Sequence, residues 1–264
     1  MRGVASTKTR RYSAQSGSTR KAPQNGKPNT PFMTFEPSQL TGIVLAGGRS
    51  TRLGSTQSKL ITRIDGKKIL ARIADALKTV TSELILVGRQ NQNDEVFDLG
   101  ISLNMRIVSD TDPYSGPLAG IHAGLTASTT PFSFIVAGDH PFLSTDLITA
   151  MAISAGLGAV NTTCAVIPHT EGTLHPLHAI YPRKYWVPHF AQALSKGETS
   201  PRRSIEKARA ANYPPVTIFT DEDITQTDPG KISLFDIDTP ENLNFAKRIA
   251  EAQISKDPTD HSTN

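Results

Sequence analysis

Thr41–Lys59, TGIVLAGGRSTRLGSTQSK, divides into three parts. Gly42 to Ala46 is a short apolar, partly β-branched run bounded by glycine, the pattern of a strand covered on both faces. Gly47 and Gly48 follow without a spacer. Two residues lacking Cβ atoms allow positive φ and let backbone N–H groups come close to a ligand. Arg49, Arg52 and Lys59 then place three cations within eleven residues. Free amides beside cations make an anion cradle, and polyphosphate is its common biological occupant. The stretch is neither a G-x-x-x-x-G-K-[ST] P-loop nor a G-x-G-x-x-G dinucleotide turn. An ordinary βα turn with surface arginines has the same composition.

Outward from this stretch, strands and helices alternate. Lys67 to Val80 carries Ile69, Leu70, Ile73, Ala74, Leu77 and Val80 at helical spacing, so it reads as an amphipathic helix. Glu83 to Gly88 reads as a second buried strand, Asn91 to Gly100 as a short helix or loop, and Met105 to Ser109 as a third strand. Leu118 to Ala127 is a helix introduced by Pro117, Phe132 to Ala137 the most apolar strand, and Ser144 to Gly156 a helix. This order from 42 to 160 predicts an α/β fold with a mostly parallel, three-layer sheet. Thr162 to Pro168 and Leu174 to Tyr181 read as extended segments joined at Glu171-Gly172 in a hairpin, which makes the sheet mixed. Lys184 to Leu194 is a helix holding the only tryptophan, Trp186, and another helix starts within 197–205. Pro215 to Phe219 and Ile232 to Ile237 read as strands. A last helix runs to about Gln253, with Thr239 as cap, Pro240 in the first position and Glu241 complementing the dipole.

Several residues carry candidate chemistry. Asp139 follows the most apolar strand directly, in Gly138-Asp139-His140-Pro141, and so sits at the carboxyl edge of the sheet, where open α/β sheets bind ligands. Mg²⁺ prefers hard oxygens and commonly uses one or two carboxylates plus substrate phosphates. Ser144 and Thr145 are better placed than Asp139 to cap the following helix. Arg202 and Arg203 at a helix start suit a phosphate; a solvated basic turn reads the same way. His175 and His178 alternate with apolar residues and are expected on one strand face, but no third ligand stands at motif spacing for zinc.

The 264 residues suffice for one large α/β domain or two small ones. Residues 1–35 hold seven Lys or Arg and no acid, leaving 21 bases against 24 acids. The basic balance therefore belongs to a tail. Residues 1–38 are too polar to order themselves, residues 39–254 form the expected domain, and 255–264 read as a polar tail. Basic, acid-poor composition also occurs in transit peptides and nucleic-acid arms. Met33 lies eight residues before the first strand, and an initiator there would remove nearly all of the tail. Peptides from residues 1–32 in the native protein would exclude that start. A single cysteine, Cys164, precludes an internal disulfide and fits a reducing, cytoplasmic setting. No apolar run approaches ~18 residues, so no spanning helix is expected.

L-A-G-G-x-S-x-R-[LM]-G followed by a lysine resembles the signature of the MobA-type molybdenum cofactor guanylyltransferases, within the broader nucleotidyltransferase superfamily. G-P-L-A-G at 116–120, the G-D-x-P at 138–141, and D-I-D-T-P-E-N-L at 236–243 resemble further family motifs in the same order. The resemblance covers roughly 41–250 and implies a Rossmann-like α/β/α nucleotidyltransferase fold. It implies that Leu45, Ala46, Gly47, Gly48 and Lys59 hold the GTP triphosphate, with Arg52 beside them. Asp110, rather than Asp112, with Gly116 and Gly120, would line the nucleotide pocket. Asp139 would hold Mg²⁺, and His175, Arg202, Arg203, Asp236 and Asp238 would face the acceptor. Two departures stand out: Ser58 replaces the family's usual aspartate before the lysine, after a slightly long spacer, and Asp236 and Asp238 replace asparagines. The implied reaction transfers GMP from GTP to Mo-molybdopterin with release of pyrophosphate. The implied partners are these two small molecules, together with molybdenum-insertion and molybdoenzyme proteins; no membrane or nucleic acid is expected. Open alternatives are a molybdopterin cytidylyltransferase, a sugar-phosphate nucleotidyltransferase, a non-catalytic nucleotide-binding homologue, and a nucleic-acid binder acting through the tail.

Overall fold

The computed structural model describes residues 36–47, 58–89, 94–110, 116–158 and 163–254. The basic tail to residue 35, Gly48, Arg49, Arg52, Asp112 and the polar tail from 255 lie outside the described residues.

Strand β1, Leu40–Leu45, is buried at every position. Ser58 starts a 3-10 turn over Lys59–Ile61, its hydroxyl accepting from the Leu60 amide at 3.4 Å. The hairpin β2 (Arg63–Ile64) and β3 (Lys67–Lys68) turns through Asp65 and Gly66, both at positive φ. Helix α1 is Ile69–Lys78, so the predicted helix starts two residues late because Lys67 and Lys68 pair with β2. There follow β4 (Glu83–Gly88), α2 (Asp94–Ser102), β5 (Arg106–Ser109), α3 (Pro117–Ala127), β6 (Phe132–Ala137) and α4 (Thr145–Ser154). Next come β7 (Ala165–Thr170), β8 (Thr173–Leu174), β9 (His178–Pro182), α5 (Arg183–Ser195) and α6 (Pro201–Ala211). The described chain closes with β10 (Val216–Phe219), α7 (Asp221–Thr227) and α8 (Pro240–Ile254).

The main sheet runs β10-β7-β9-β6-β1-β4-β5, with β8 paired only to β7. Pairs β5–β4, β4–β1, β1–β6 and β10–β7 are parallel; β9 is antiparallel to both β6 and β7. Alternate residues of each strand enter opposite layers. Val44, Leu86, Phe134 and Val136 pack with α1, α4 and α8, whereas Ile43, Ile85, Val87 and Ile135 pack with α3, α5 and α6. That is the expected three-layer α/β/α arrangement with a mixed, mostly parallel sheet. No helix among the described residues is long and apolar enough to cross a membrane.

Three local expectations change. Ile232–Ile237 is not a strand: Ile232–Leu234 form a 3-10 turn. Its backbone donors go elsewhere, the Ile232 and Ser233 amides to the Asp228 carboxylate at 3.3 and 2.9 Å and the Ile237 amide to the Asp139 carbonyl at 3.0 Å. Leu174 to Tyr181 is not one extended segment. A turn in which the His178 amide donates to the His175 carbonyl separates β8 from β9, so the two histidines do not share a strand face. Helix α7 was not expected; Thr220 and Asp223 start it with a reciprocal capping box.

Candidate active site

Parallel β1, β4, β5 and β6 bring their carboxyl ends to one edge. Because β9 runs the other way, its first residue, His178, arrives at that edge opposite Val136. Ala46 and Gly47 leave β1 there, held by the Ala46 amide donating to the Val87 carbonyl at 2.7 Å. Asp110 leaves β5, its amide bonded to the Gly88 carbonyl at 2.9 Å. Gly116, at φ +96, precedes Pro117 at the start of α3, and Gly120 lies over Leu45 and Val87. Gly47 is outside the left-handed region, and among the described residues a Cβ built on it meets nothing within 4 Å. Its missing side chain leaves the strand end clear of the other described residues.

Lys59 and Asp139 meet at the carboxyl end of β6. The Lys59 ammonium donates to Asp238 Oδ1 at 2.6 Å and lies 3.9 Å from Asp139 Oδ2. Its side chain is 16% exposed, against 29% for Asp139 and 41% for Asp238. The lysine thus lies beneath the carboxylates, and they face outward. Asp236 reaches solvent, yet partial desolvation, then the charges of Asp238 and Asp139, push its carboxyl above the ordinary range; His140 and Lys59 oppose this. Among the described residues no three His, Cys, Asp or Glu side chains converge as a closed metal cage. The site is open, with carboxylate oxygens as hard donors.

The segment bearing Asp236 and Asp238 is pinned to the end of β6. The His140 Nδ1–H donates to the Ser233 carbonyl at 3.1 Å, and the Ser233 hydroxyl accepts from the Ser144 amide at 2.7 Å. The Ser144 hydroxyl in turn accepts from the Leu147 amide and donates to the Thr227 carbonyl, so the predicted cap also ties in the loop. Thr239 caps α8 through the Asn242 amide, and the Asn242 side chain donates to the Asp236 carbonyl at 3.1 Å. His140 Nε2 is left facing Asp139 Oδ1 at 3.8 Å.

Behind Asp139 the histidines cluster. His178 is fully buried, edge-on to Phe134 at 5.0 Å and 5.5 Å from the His140 ring, with neither ring nitrogen hydrogen-bonded. Burial keeps it neutral, far below its ordinary pKa. His175 bonds through Nε2 to the Thr170 hydroxyl at 2.7 Å; burial, then the positive fields of His140, Arg202 and His169, bring it to about 4. Arg202 is therefore on the His175 side of the site. Arg203 is held by Glu198: its Nε donates to Glu198 Oε1 at 3.1 Å. That oxygen also accepts from the Thr199 and Ser200 amides, while Lys207 bonds Oε2. The protein's own carboxylate thus occupies the anion position at the start of α6. These hydrogen bonds, led by the Ser200 amide, hold Glu198 near 2.

Nothing in the sequence points to Ser233 or Asp228, and Glu198 is visible only as part of the turn before α6. His140 is visible beside Asp139, but its task depends on a carbonyl 93 residues away.

Residues 42–216 match the MobA-like NTP transferase domain family. A probable molybdenum cofactor guanylyltransferase of Pelotomaculum thermopropionicum is 30% identical over 223 residues, which span 81% of this chain and 94% of that protein. The molybdenum cofactor guanylyltransferase of Desulfosudis oleivorans is 28% identical over 214 residues, spanning 81% of this chain and 96% of that one. The crystal structure of molybdopterin-guanine dinucleotide biosynthesis protein A from Archaeoglobus fulgidus superposes with a TM-score of 0.64 at 23% identity, covering 80% of this chain and 99% of the other, a likeness of fold. With most of its length inside the family match, and Lys59 and Asp139 together at the sheet edge, this chain belongs to the MobA-like NTP transferase family.

Proposed function

We propose that the chain transfers GMP from GTP to Mo-molybdopterin and releases pyrophosphate, forming the molybdopterin guanine dinucleotide. One observation carries the reading: Lys59 lies between Asp139 and Asp238, with Asp139 at the carboxyl end of β6. The names of the relatives supply the base and the acceptor. The acceptor's phosphate oxygen attacks the α-phosphorus of GTP, the α–β phosphoanhydride bond breaks, and its electron pair leaves with pyrophosphate. The nucleophile is already anionic, so the protein needs no covalent intermediate and no strong base. Its contribution is positioning and neutralisation of charge. Lys59 holds triphosphate oxygens, and the open side of Gly47 lets the chain's amides approach them.

The donor set fits Mg²⁺. Asp139 and Asp238 are outward-facing carboxylates, the hard oxygen donors that this ion prefers. Asp139 would hold the ion, with Asp238 beside it. When bound, the ion supplies positive charge to phosphate oxygens. The test is transfer by the full chain with Mg²⁺, Mo-molybdopterin and each of GTP, CTP, ATP and UTP, read as pyrophosphate and dinucleotide formed. GTP should be used preferentially, and Asp139→Asn should abolish turnover at unchanged thermal stability. Equal turnover on all four nucleotides, or none on GTP, refutes the assignment.

A further inference from the structure

We infer that His140 is a positioning residue for transfer: its Nδ1–H bond to the Ser233 carbonyl sets the direction in which residues 236–238 cross the end of β6 beside Asp139. The inference rests on the nucleotidyl-transfer reading of this site. His140 is 8% exposed, so its ring is covered rather than offered to a substrate. Its Nε2 stands 3.8 Å from Asp139 Oδ1, beyond hydrogen-bond reach. What the ring does for the site therefore passes through its other nitrogen. A carbonyl can only accept, so the proton of that 3.1 Å bond is on Nδ1.

Two bonds join the end of β6 to this segment. The His140 side chain holds Ser233, ahead of Asp236, and the Asp139 carbonyl holds the Ile237 amide at 3.0 Å, behind it. Residues 234–236 are bracketed between them, and Asp238 follows the second bond at once. One such bond leaves a segment free to pivot; two fix its direction. The Ser233 end is firmly anchored, because its amide donates to the buried Asp228 carboxylate at 2.9 Å and its hydroxyl accepts from the Ser144 amide at 2.7 Å. The Ile237 bond is made by backbone and survives any side chain at 140. The bond to the Ser233 carbonyl belongs to the His140 ring alone. That ring is braced from behind by the buried His178, 5.5 Å away, which is itself edge-on to Phe134 at 5.0 Å.

The experiment compares the full wild-type chain with His140→Phe, His140→Asn and His140→Gln, measuring kcat with GTP, Mo-molybdopterin and Mg²⁺ well below each melting temperature, together with amide exchange. Phenylalanine keeps a ring against His178 and loses the donor. The asparagine amide nitrogen stands as many bonds from Cβ as Nδ1 does, and the glutamine one as many as Nε2. A misplacement of about 1 Å costs up to about a hundredfold in rate, so His140→Phe should lower kcat at least about tenfold. Residues 233–238 should exchange about fivefold faster in that variant, the scale of one lost hydrogen bond, with β6 unchanged. His140→Asn should recover kcat to within about threefold of wild type even where the lost ring lowers its melting temperature, whereas His140→Gln should stay slow. Activity would then follow the donor and not the stability. A His140→Phe kcat within about twofold of wild type, unchanged exchange at 233–238, or equal recovery by asparagine and glutamine overturns the inference while leaving the transfer reading standing. A wild-type chain that transfers no nucleotide overturns that reading and this inference with it.

Discussion

Gly138→Ala should destabilise the protein and disturb the site together. A Cβ at Gly138 would lie 2.6 Å from Leu60 Cδ2, 3.2 Å from Leu60 Cγ and 3.1 Å from the Leu45 carbonyl oxygen. Unstrained carbon contacts begin near 3.5 Å, so something must move by most of an ångström. The carbonyl cannot yield cheaply, because it accepts the Gly138 amide at 3.0 Å within the β1–β6 ladder. Leu60 is 3% exposed and packed in the core, and displacing it moves the adjacent Lys59. Overpacking of this kind costs about 1–3 kcal/mol, or about 2–12 °C in melting temperature for a domain of this size. Gly47→Ala is the matched control, since among the described residues its Cβ would meet nothing within 4 Å. It should melt within about 2 °C of wild type yet bind GTP more weakly, because the methyl fills the space left for phosphate. Differential scanning calorimetry of both variants, with GTP titrations, separates the cases. A Gly138→Ala protein melting with wild type would refute the packing analysis; unchanged GTP affinity in Gly47→Ala would refute the cradle.

The unbonded His178 ring should be dispensable for stability. His178→Leu removes two unsatisfied nitrogens, each costing about 1–3 kcal/mol when buried, so the variant should melt at or above wild type; a clear loss in calorimetry would show that the imidazole finds partners in solution. His175, about 4 when folded against 6.5 ordinarily, binds its proton more readily in the unfolded chain, so stability should be complete above about pH 6.5 and decline as pH falls towards 4. His175→Asn should flatten that decline in melting temperature, and an unchanged slope would exclude His175 as its source. Ser233→Ala orphans the Ser144 amide and should cost about 1–3 kcal/mol, with transfer activity falling further than stability alone explains; denaturant titration beside turnover checks both.

The central strands were legible because their information is local. Glu83–Gly88 and Phe132–Ala137 are short, mostly apolar runs, and the strands begin and end where the sequence predicts. Ile232–Ile237 is as apolar as a short strand, but the competing acceptors, the Asp228 carboxylate and the Asp139 carbonyl, lie outside it. Helix α7 buries only Ile224, too little for a periodic signal, and its capping box was the one readable mark. Within the site, Asp139 could be read from its position after a strand. The partnership of Lys59 with Asp238 could not, because no spacing rule connects residues 179 apart. Arg203 looked equally fit for a substrate phosphate until the fold brought Glu198 to it.

That long separation also orders the protein's birth. Synthesis runs from the N-terminus, and segments can fold as they emerge. Every strand among the described residues has been made once Phe219 is out, yet Ser233, Asp236 and Asp238 are still to come. A nascent or prematurely terminated chain ending there holds all the sheet-forming segments, but Lys59 has no Asp238 and His140 has no carbonyl to lean on. The final helix, α8, then returns to pack on β2, a few residues beyond Lys59. The last segment to be translated is thus the part that finishes the pocket, so an interrupted chain is left with a sheet and no complete site.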